Sequence, residues 1–520
     1  MDALLLTGAD RAQLAALGIP EAEVERQVAL FRNPPPFVRL LRPCRVGDGV
    51  HVLPEDEHDA LGRLHDEAAR NGRLSKLVPA SGAASRMFQS LARYLSDDVS
   101  TPWEGVRARA EGGDRAAGEV VRFVEELERL PFREELRRAA GEGAWAAPGP
   151  SFRTLIRALV SGEGLGYAEL PKALIPFHEE EEGTRTPFEE HLVEAGLTVR
   201  DGSGRCRVHF TVPEASRGAF EELLSRHRRR LEERLHASFD VSFSVQDRST
   251  DTVAVDLEDR PFRNDDGTIL FRPGGHGALL ANLGRLAALG ADVVYLKNVD
   301  NVVPDVRKGP SLLWKRLLAG HLVRLERHVG RLREELARAP FDPAVAAEAE
   351  SLLTQELGSP EAAGLPPTGR AERLRELLDR PLRVCGVVRN QGEPGGGPFW
   401  VEDSSGRVSP QIVEGSQVDR SSETQRLIWE SSTHFNPVDL VLKLRGAGGK
   451  PYDLERYVDQ ETVFISRKSK DGRELKAIER PGLWNGAMAG WLTVFVEVPI
   501  ETFAPVKTIL DLLRPEHQPS

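Results

Sequence analysis

Leu77-Val78-Pro79-Ala80-Ser81-Gly82-Ala83-Ala84-Ser85-Arg86-Met87 is the stretch on which the reading of this chain turns. A short apolar run leads into small residues and then a polar pair. Phe88, Leu91 and Leu95 follow at helical spacing. The pattern predicts a strand, a tight loop and a helix start. Such a loop turns several backbone N–H groups toward one point at the positive end of the helix, which suits a phosphate. Small side chains at Ala80, Ser81, Gly82, Ala83 and Ala84 let a ligand approach the backbone, and Arg86 adds a cation with forked donors.

Composition bounds what surrounds this loop. At 520 residues the chain exceeds what one hydrophobic core supports, so two or three subdomains are expected. Apolar content of 40% and charged content of 29% describe a globular protein. The formal net charge of -11 argues against nonspecific nucleic-acid binding. The basic run Arg226-His227-Arg228-Arg229-Arg230 does not overturn that. Phe220, Leu223, Leu224, Leu231 and Leu235 around it are spaced for one buried helix face, and Glu221, Glu222, Glu232 and Glu233 offset its charge. Cys44, Cys206 and Cys385 are scattered, with no CxxC pair, which suits a reducing compartment and excludes a thiolate zinc site. No leader pattern and no run of roughly 18 apolar residues is present, so a cytoplasmic protein without a membrane partner is expected.

Along the chain, residues 1–75 read as a helical segment broken at Pro34-Pro35-Pro36. Residues 76–310 read as the first part of an α/β core, with a helical insertion at about 88–165 carrying the stripes Val120, Val121, Phe123, Val124 and Phe152, Leu155, Ile156, Leu159. Strands are expected at 208–212, 239–245 and 293–296. A helical segment at 311–380 carries the seam Leu318, Leu322, Leu325, Val329, Leu332, Leu336, read as packing within the monomer, with a dimer zipper the alternative. Residues 381–520 complete the core and the site. Strands alternating with helices predict a mixed, mostly parallel Rossmann-like sheet flanked by helices.

Four further pieces follow the loop in order. Lys172 stands in the apolar, proline-bracketed run Leu170–Phe177, either snorkelling or aimed at an anion in a cleft. Thr186-Pro187-Phe188-Glu189-Glu190-His191 then starts a helix. Pro273-Gly274-Gly275-His276-Gly277 is a loop whose backbone can lie against a flat ligand or a phosphate, or simply a glycine-rich connector. Lys297-Asn298-Val299-Asp300-Asn301 places a carboxylate at the carboxyl end of a buried strand, the usual ligand position in open α/β sheets. There Asp300 either binds Mg²⁺ or caps a turn. Near the end, Glu501-Thr502-Phe503-Ala504-Pro505-Val506-Lys507 closes on a lysine. His51, His58 and His65 recur without metal-ligand neighbours and read as surface or satisfied histidines. P-loop and GxSxG signatures are absent.

These pieces carry a resemblance. Ala80 to Met87 is similar to the glycine-rich signature of sugar-nucleotide pyrophosphorylases, with Gly82 as its single glycine. Pro171-Lys172 looks like the later part of that signature. Asn298-Val299-Asp300-Asn301, Pro273–Gly277 and Phe503–Lys507 resemble motifs of UDP-sugar pyrophosphorylases. Nearly the whole chain, including Ser432-Thr433-His434-Phe435-Asn436-Pro437-Val438-Asp439 and Pro481-Gly482-Leu483-Trp484-Asn485-Gly486-Ala487-Met488, resembles a bacterial domain of unknown function, number 4301, with a nucleotidyltransferase-like fold of GT-A type. The resemblance implies transfer of a nucleotidyl group, from UTP, to a sugar 1-phosphate. It gives Arg86, Lys172 and Lys507 catalytic roles. Ala80, Ser81, Gly82, Ala83, Ala84, Ser85, Gln246, Gly274, Gly275 and His276 would bind nucleotide. Asp300 and Asp439 would hold Mg²⁺, with Asp305 another carboxylate near the first. A glycosyltransferase using a nucleotide sugar, or a nucleotide-sugar-binding protein without turnover, are the alternatives.

Overall fold

The strand expected at Leu77 runs from Leu74 to Pro79 in the computed structural model, which describes residues 6–96, 101–338, 342–392 and 395–519. The chain forms two compact units from interleaved stretches. Unit 1 comprises residues 1–75, 244–296 and 316–500; unit 2 comprises 76–243, 297–315 and 501–520.

In unit 2, Lys76–Pro79 pair in parallel with Val208–Thr211, and the strand Ser238–Ser244 lies on the other side of Arg205–Thr211. Ala84–Arg86 make one turn of 3₁₀ helix after the loop, and the helix Gln89–Ser96 follows. The insertion is helical as expected. Its helices include Trp103–Glu111, Arg115–Glu125, Arg133–Ala140 and Phe152–Val160. Asp114 starts the second of these by accepting from the amides of Ala116 and Ala117. The apolar stripes meet in one core where Val120, Phe123, Leu155, Ile156 and Leu159 pack with Phe88 and Leu91. Val506, Ile509, Leu512 and Leu513, from the far end of the chain, belong to the same core.

The helix Pro187–Thr198 begins on a capping box, Thr186 with Glu189, and has proline at its first turn. It is buried on nearly all sides. The basic helix Arg217–Leu235 shows the solvated face expected of it: Arg226, Arg228 and Arg229 pair along the helix with Glu222, Glu232 and Glu233.

Unit 1 has its own sheet. Strand Leu382–Arg389 lies parallel to Leu492–Glu497 and antiparallel to Asp439–Lys443, and Leu492–Glu497 runs parallel to Gly49–His51. Val293–Leu296 neighbour Asp439–Lys443. With the parallel pairing in unit 2, the architecture is mixed α/β with mostly parallel sheet strands and flanking helices. Two antiparallel sheets add to unit 1: one of Arg39–Pro43, Gly397–Glu402 and Val408–Val413, and one of Phe271–Arg272, Thr252–Val255, Arg473–Glu479 and Phe464–Lys470. Residues 1–75 differ from the helical reading. After the helices Gly8–Leu17 and Glu21–Arg32, three short strands occupy Arg39–His51 before the helix His58–Arg70. Strands of two to five residues show too few alternations for periodicity to register.

The seam from Leu318 lies in the helix Lys308–Leu336, where Leu318, Leu322, Leu325, Leu332 and Leu336 are buried within the monomer. Among the described residues, no helix is long and apolar enough to cross a membrane.

Candidate functional site

Unit 2 brings together four of the sequence pieces. Backbone contacts fasten the small-residue loop to the Lys172 segment: Ala84 N–H donates to Leu170 O at 3.0 Å, and Lys172 N–H donates to Gly82 O at 3.1 Å. The Lys172 side chain points onward. Its Nζ donates to Asp300 Oδ2 at 2.8 Å and to Val506 O at 2.7 Å. Asp300 in turn accepts, through its carbonyl, from Val506 N–H at 3.2 Å. Asn301 completes the link, its Oδ1 accepting from Ala504 N–H at 2.9 Å and its Nδ2 donating to Thr502 O at 3.3 Å. The Asp-Asn motif and the segment ending in Lys507 are therefore stitched edge to edge. Lys507 sits with its ammonium 5.8 Å from the Phe503 ring centre, and its own amide is capped by Asp511.

The loop divides its amides. Ala80 and Ala84 are buried and give theirs to Thr211 O and Leu170 O. Those of Ser81, Gly82 and Ala83 donate to no group among the described residues, and the three residues are exposed. An anion can therefore be cradled by the first three residues of the loop and not by the whole of it. Gly82 has open space where a side chain would stand and needs no positive φ. Ser85 and Arg86 are exposed on the 3₁₀ turn, and Arg86 meets no acid among the described residues.

Beneath Asp300 lies a polar network that residue patterning did not reveal. Glu194, 1% exposed, accepts from Lys76 at 2.7 Å and from Lys297 at 2.7 Å, with Lys315 at 3.9 Å. Burial pushes the Glu194 carboxyl up, but Lys297, Lys76 and Lys315 hold it well below the usual carboxylate range. Burial lowers the Lys76 ammonium, against the pull of Glu194. One turn back, His191 is fully buried with Nε2 3.1 Å from Val299 O. A carbonyl only accepts, so Nε2 carries the proton. Burial, reinforced by Lys76, keeps the ring neutral. Glu190 binds Lys308, whose Nζ also reaches Val303 O at 2.6 Å. One helix thus clamps Lys297, Val299 and Val303, the segment that carries Asp300. The alternation around Lys76, inward-facing in an apolar strand, was the available signal.

Glu180, Glu190 and Asp305 bring carboxylate oxygens within 4.8 Å of one another. Their charge is met by protein cations: Arg185 and Arg234 reach Asp305 at 2.8 Å, and Lys308 binds Glu190. Against its burial, those contacts hold Asp305 well below the carboxylate range. Asp305 is thus spent on ion pairs. Asp300 fits a hard divalent ion better, because its second oxygen accepts from no group among the described residues.

The remaining expected residues belong to unit 1. Gly275 has φ +73°, a Cβ on Gly274 would stand 2.6 Å from Thr250 O, and one on Gly277 would stand 2.1 Å from Pro481 O. Arg480 N–H donates to Gly274 O at 3.0 Å, and the His276 ring lies 4.6 Å from that of Trp484. The glycines of this loop are accounted for by its close seat against the turn at Pro481. Gln246 Nε2 is buried without a hydrogen-bond partner among the described residues. Asp439 is buried at the start of its strand, after Val438 with φ +55°. The cysteines are buried and unpaired, and His58 and His65 are bonded to Leu53 O and Asp66.

The chain belongs to the family described as domain of unknown function DUF4301, whose model matches residues 7–518. No curated protein matches the sequence. Among solved structures it is similar to UDP-glucose pyrophosphorylase from Leishmania major in complex with UDP-glucose, at 12% identity and TM-score 0.44, over 98% of this chain and 79% of that one. It is also similar to the uridine diphosphate N-acetylglucosamine pyrophosphorylase from Trypanosoma brucei, at 12% identity and TM-score 0.47 over 98% and 79% of the two chains. A UDP-glucose phosphorylase from Trypanosoma brucei shows 13% identity and TM-score 0.45 over 98% and 80%.

Proposed function

We propose that this DUF4301 chain is a nucleotidyltransferase that joins a sugar 1-phosphate to a nucleoside triphosphate, UTP, with release of pyrophosphate. The observation that carries the reading is the double contact of Lys172 with Asp300 and Val506, which unites three separate sequence motifs at one point. The adjoining free amides of Ser81, Gly82 and Ala83 supply an anion cradle beside it.

The sugar phosphate oxygen attacks the α-phosphorus in line, the bond to the leaving pyrophosphate breaks, and no covalent enzyme intermediate forms. Catalysis is then positioning and neutralisation of charge. The amides of Ser81–Ala83 hold the triphosphate, and Arg86 meets the departing pyrophosphate with its forked donors. Lys172 faces the α-phosphate and Lys507 the sugar phosphate. Asp300 would hold Mg²⁺, and the ion when bound would offset phosphate charge. Gln246, Gly274, Gly275 and His276, in unit 1, keep a nucleotide-binding role only as what the motif resemblance implies. The test is pyrophosphate release from each nucleoside triphosphate against a panel of sugar 1-phosphates with Mg²⁺. Release dependent on both substrates supports the reading, and its absence for every pair overturns it.

A further inference from the structure

We infer that unit 1 contains a binding site for an amine-bearing organic molecule, in a cavity none of whose lining residues enters the reaction above. The cavity measures 480 Å³ and is bounded by Pro36–Val38, the sheet strand Val408–Val413 and the turn at Asp459. That volume suits a small organic ligand.

Charge decides the class of ligand. Glu402, Asp403, Asp459 and Glu461 line the cavity, against Arg39 and Arg407. Each arginine is already engaged, Arg39 with Glu402 at 2.6 Å and Arg407 with Asp403 at 3.1 Å. Asp459 and Glu461 form no ion pair among the described residues. The Asp459 carboxylate accepts only the Glu461 amide among the described residues, at 2.9 Å, through one oxygen. Burial raises its carboxyl above the usual range, as expected of an acid short of a counter-ion. Half-buried Asp459 is thus left without an ion-pair partner among the described residues, and exposed Glu461 beside it adds charge of the same sign, which favours a cationic ligand.

A second observation is independent of the acids. Gln417 lines the same cavity and is 7% exposed. Its Oε1 accepts from Glu414 N–H at 2.9 Å and from Asn485 Nδ2 at 3.4 Å. No described residue accepts from its Nε2, which leaves this cavity-lining amide a donor for a ligand oxygen. Phe37 provides an apolar wall, 58% exposed although Val38 N–H is tied to Gln417 O at 2.9 Å. The preceding Pro34-Pro35-Pro36 restricts that wall before any ligand arrives. A ligand meeting all three features has an ammonium for Asp459 and Glu461, an oxygen acceptor for Gln417 and an aromatic or alkyl body for Phe37.

The probe is 3-phenoxypropylamine, compared by titration calorimetry on the full chain with 3-phenoxypropan-1-ol and 3-phenoxypropionate. The amine is expected to bind with a dissociation constant on the order of 1 mM or lower, and the alcohol at least about tenfold more weakly. Asp459→Asn, which keeps the acceptor for the Glu461 amide, is expected to weaken the amine about tenfold and leave the alcohol unchanged. Glu461→Gln, at an exposed position, gives the same direction if Asp459→Asn does not fold. Failure of all three probes to bind overturns the site. So does equal binding of alcohol or carboxylate, or amine affinity unchanged in both variants.

Discussion

Lys172 Nζ lies 2.8 Å from Asp300 Oδ2, so the cation and the carboxylate assigned to opposite duties are one ion pair before any phosphate enters. The same ammonium holds the Val506 carbonyl at 2.7 Å. In the proposed reaction phosphate competes for this lysine and frees Asp300. Lys172→Ala is expected to lower the rate of pyrophosphate release by roughly 10²–10³. Lys172→Arg should recover little of it, since a planar fork replaces a point charge. Initial rates with circular dichroism as a folding control check this; a folded Lys172→Ala protein of full activity removes Lys172 from the site.

The two glycine loops should respond in opposite ways to an added methyl. A Cβ at Gly277 meets the Pro481 carbonyl at 2.1 Å, so Gly277→Ala is expected to cost about 2 kcal/mol or more by urea denaturation. Gly82 has nothing within 4 Å of that position, and Gly82→Ala should hold stability within about 0.5 kcal/mol. The rate of the proposed transfer should nonetheless fall about tenfold, because the methyl takes space where phosphate would approach the loop backbone.

Glu194 is the shared anion of two buried lysines. Glu194→Gln strands Lys76 and Lys297 without their partner, and a loss of about 3–5 kcal/mol is expected. Denaturant titration measures it. A loss under about 1 kcal/mol would mean that the network is solvated in solution.

Acid should destabilise the chain partly through His517. This ring is buried 2.9 Å from His178, and burial first, then His178 and Arg514, lowers its pKa from 6.5 to about 3. Above the ordinary value neither state holds the proton, and the contribution is complete. As pH falls from 6.5 toward 3, the unfolded chain takes up a proton that the native chain refuses. Stability then drops by about 1.4 kcal/mol per pH unit. His517→Phe should flatten the slope of stability against pH by that amount, measured from urea midpoints between neutral and mildly acid solution. Equal slopes would place the titration elsewhere.

The segments that the candidate site joins were legible because each is local. Leu77 to Met87 announces strand, loop and turn within one window, and Asp300 follows an apolar strand that ends in polar residues. The hub around Glu194 was not legible, because Lys76, Glu194 and Lys297 are polar residues that turn inward only for one another. Their partners lie more than a hundred residues apart, outside any window of periodicity. The Pro273–Gly277 loop shows a different limit. Glycines that admit a ligand and glycines that admit a neighbouring turn look alike until Thr250 and Pro481 are seen against them. The basic helix was correctly read as solvated because its balancing acids sit one turn away.

The residues around Val506 have a bearing on biosynthesis. Val506, Ile509, Leu512 and Leu513 fill a core whose other members begin at Ala84, and Lys507 rides on the same segment. A nascent chain that has emerged only as far as Lys315 therefore lacks part of this core and the carbonyl that Lys172 grips. The joint contact of Lys172 with Asp300 and Val506 can appear only after the ribosome has translated residues 501–513. Until then the insertion helices expose an apolar face, the condition in which chaperones recognise a growing chain.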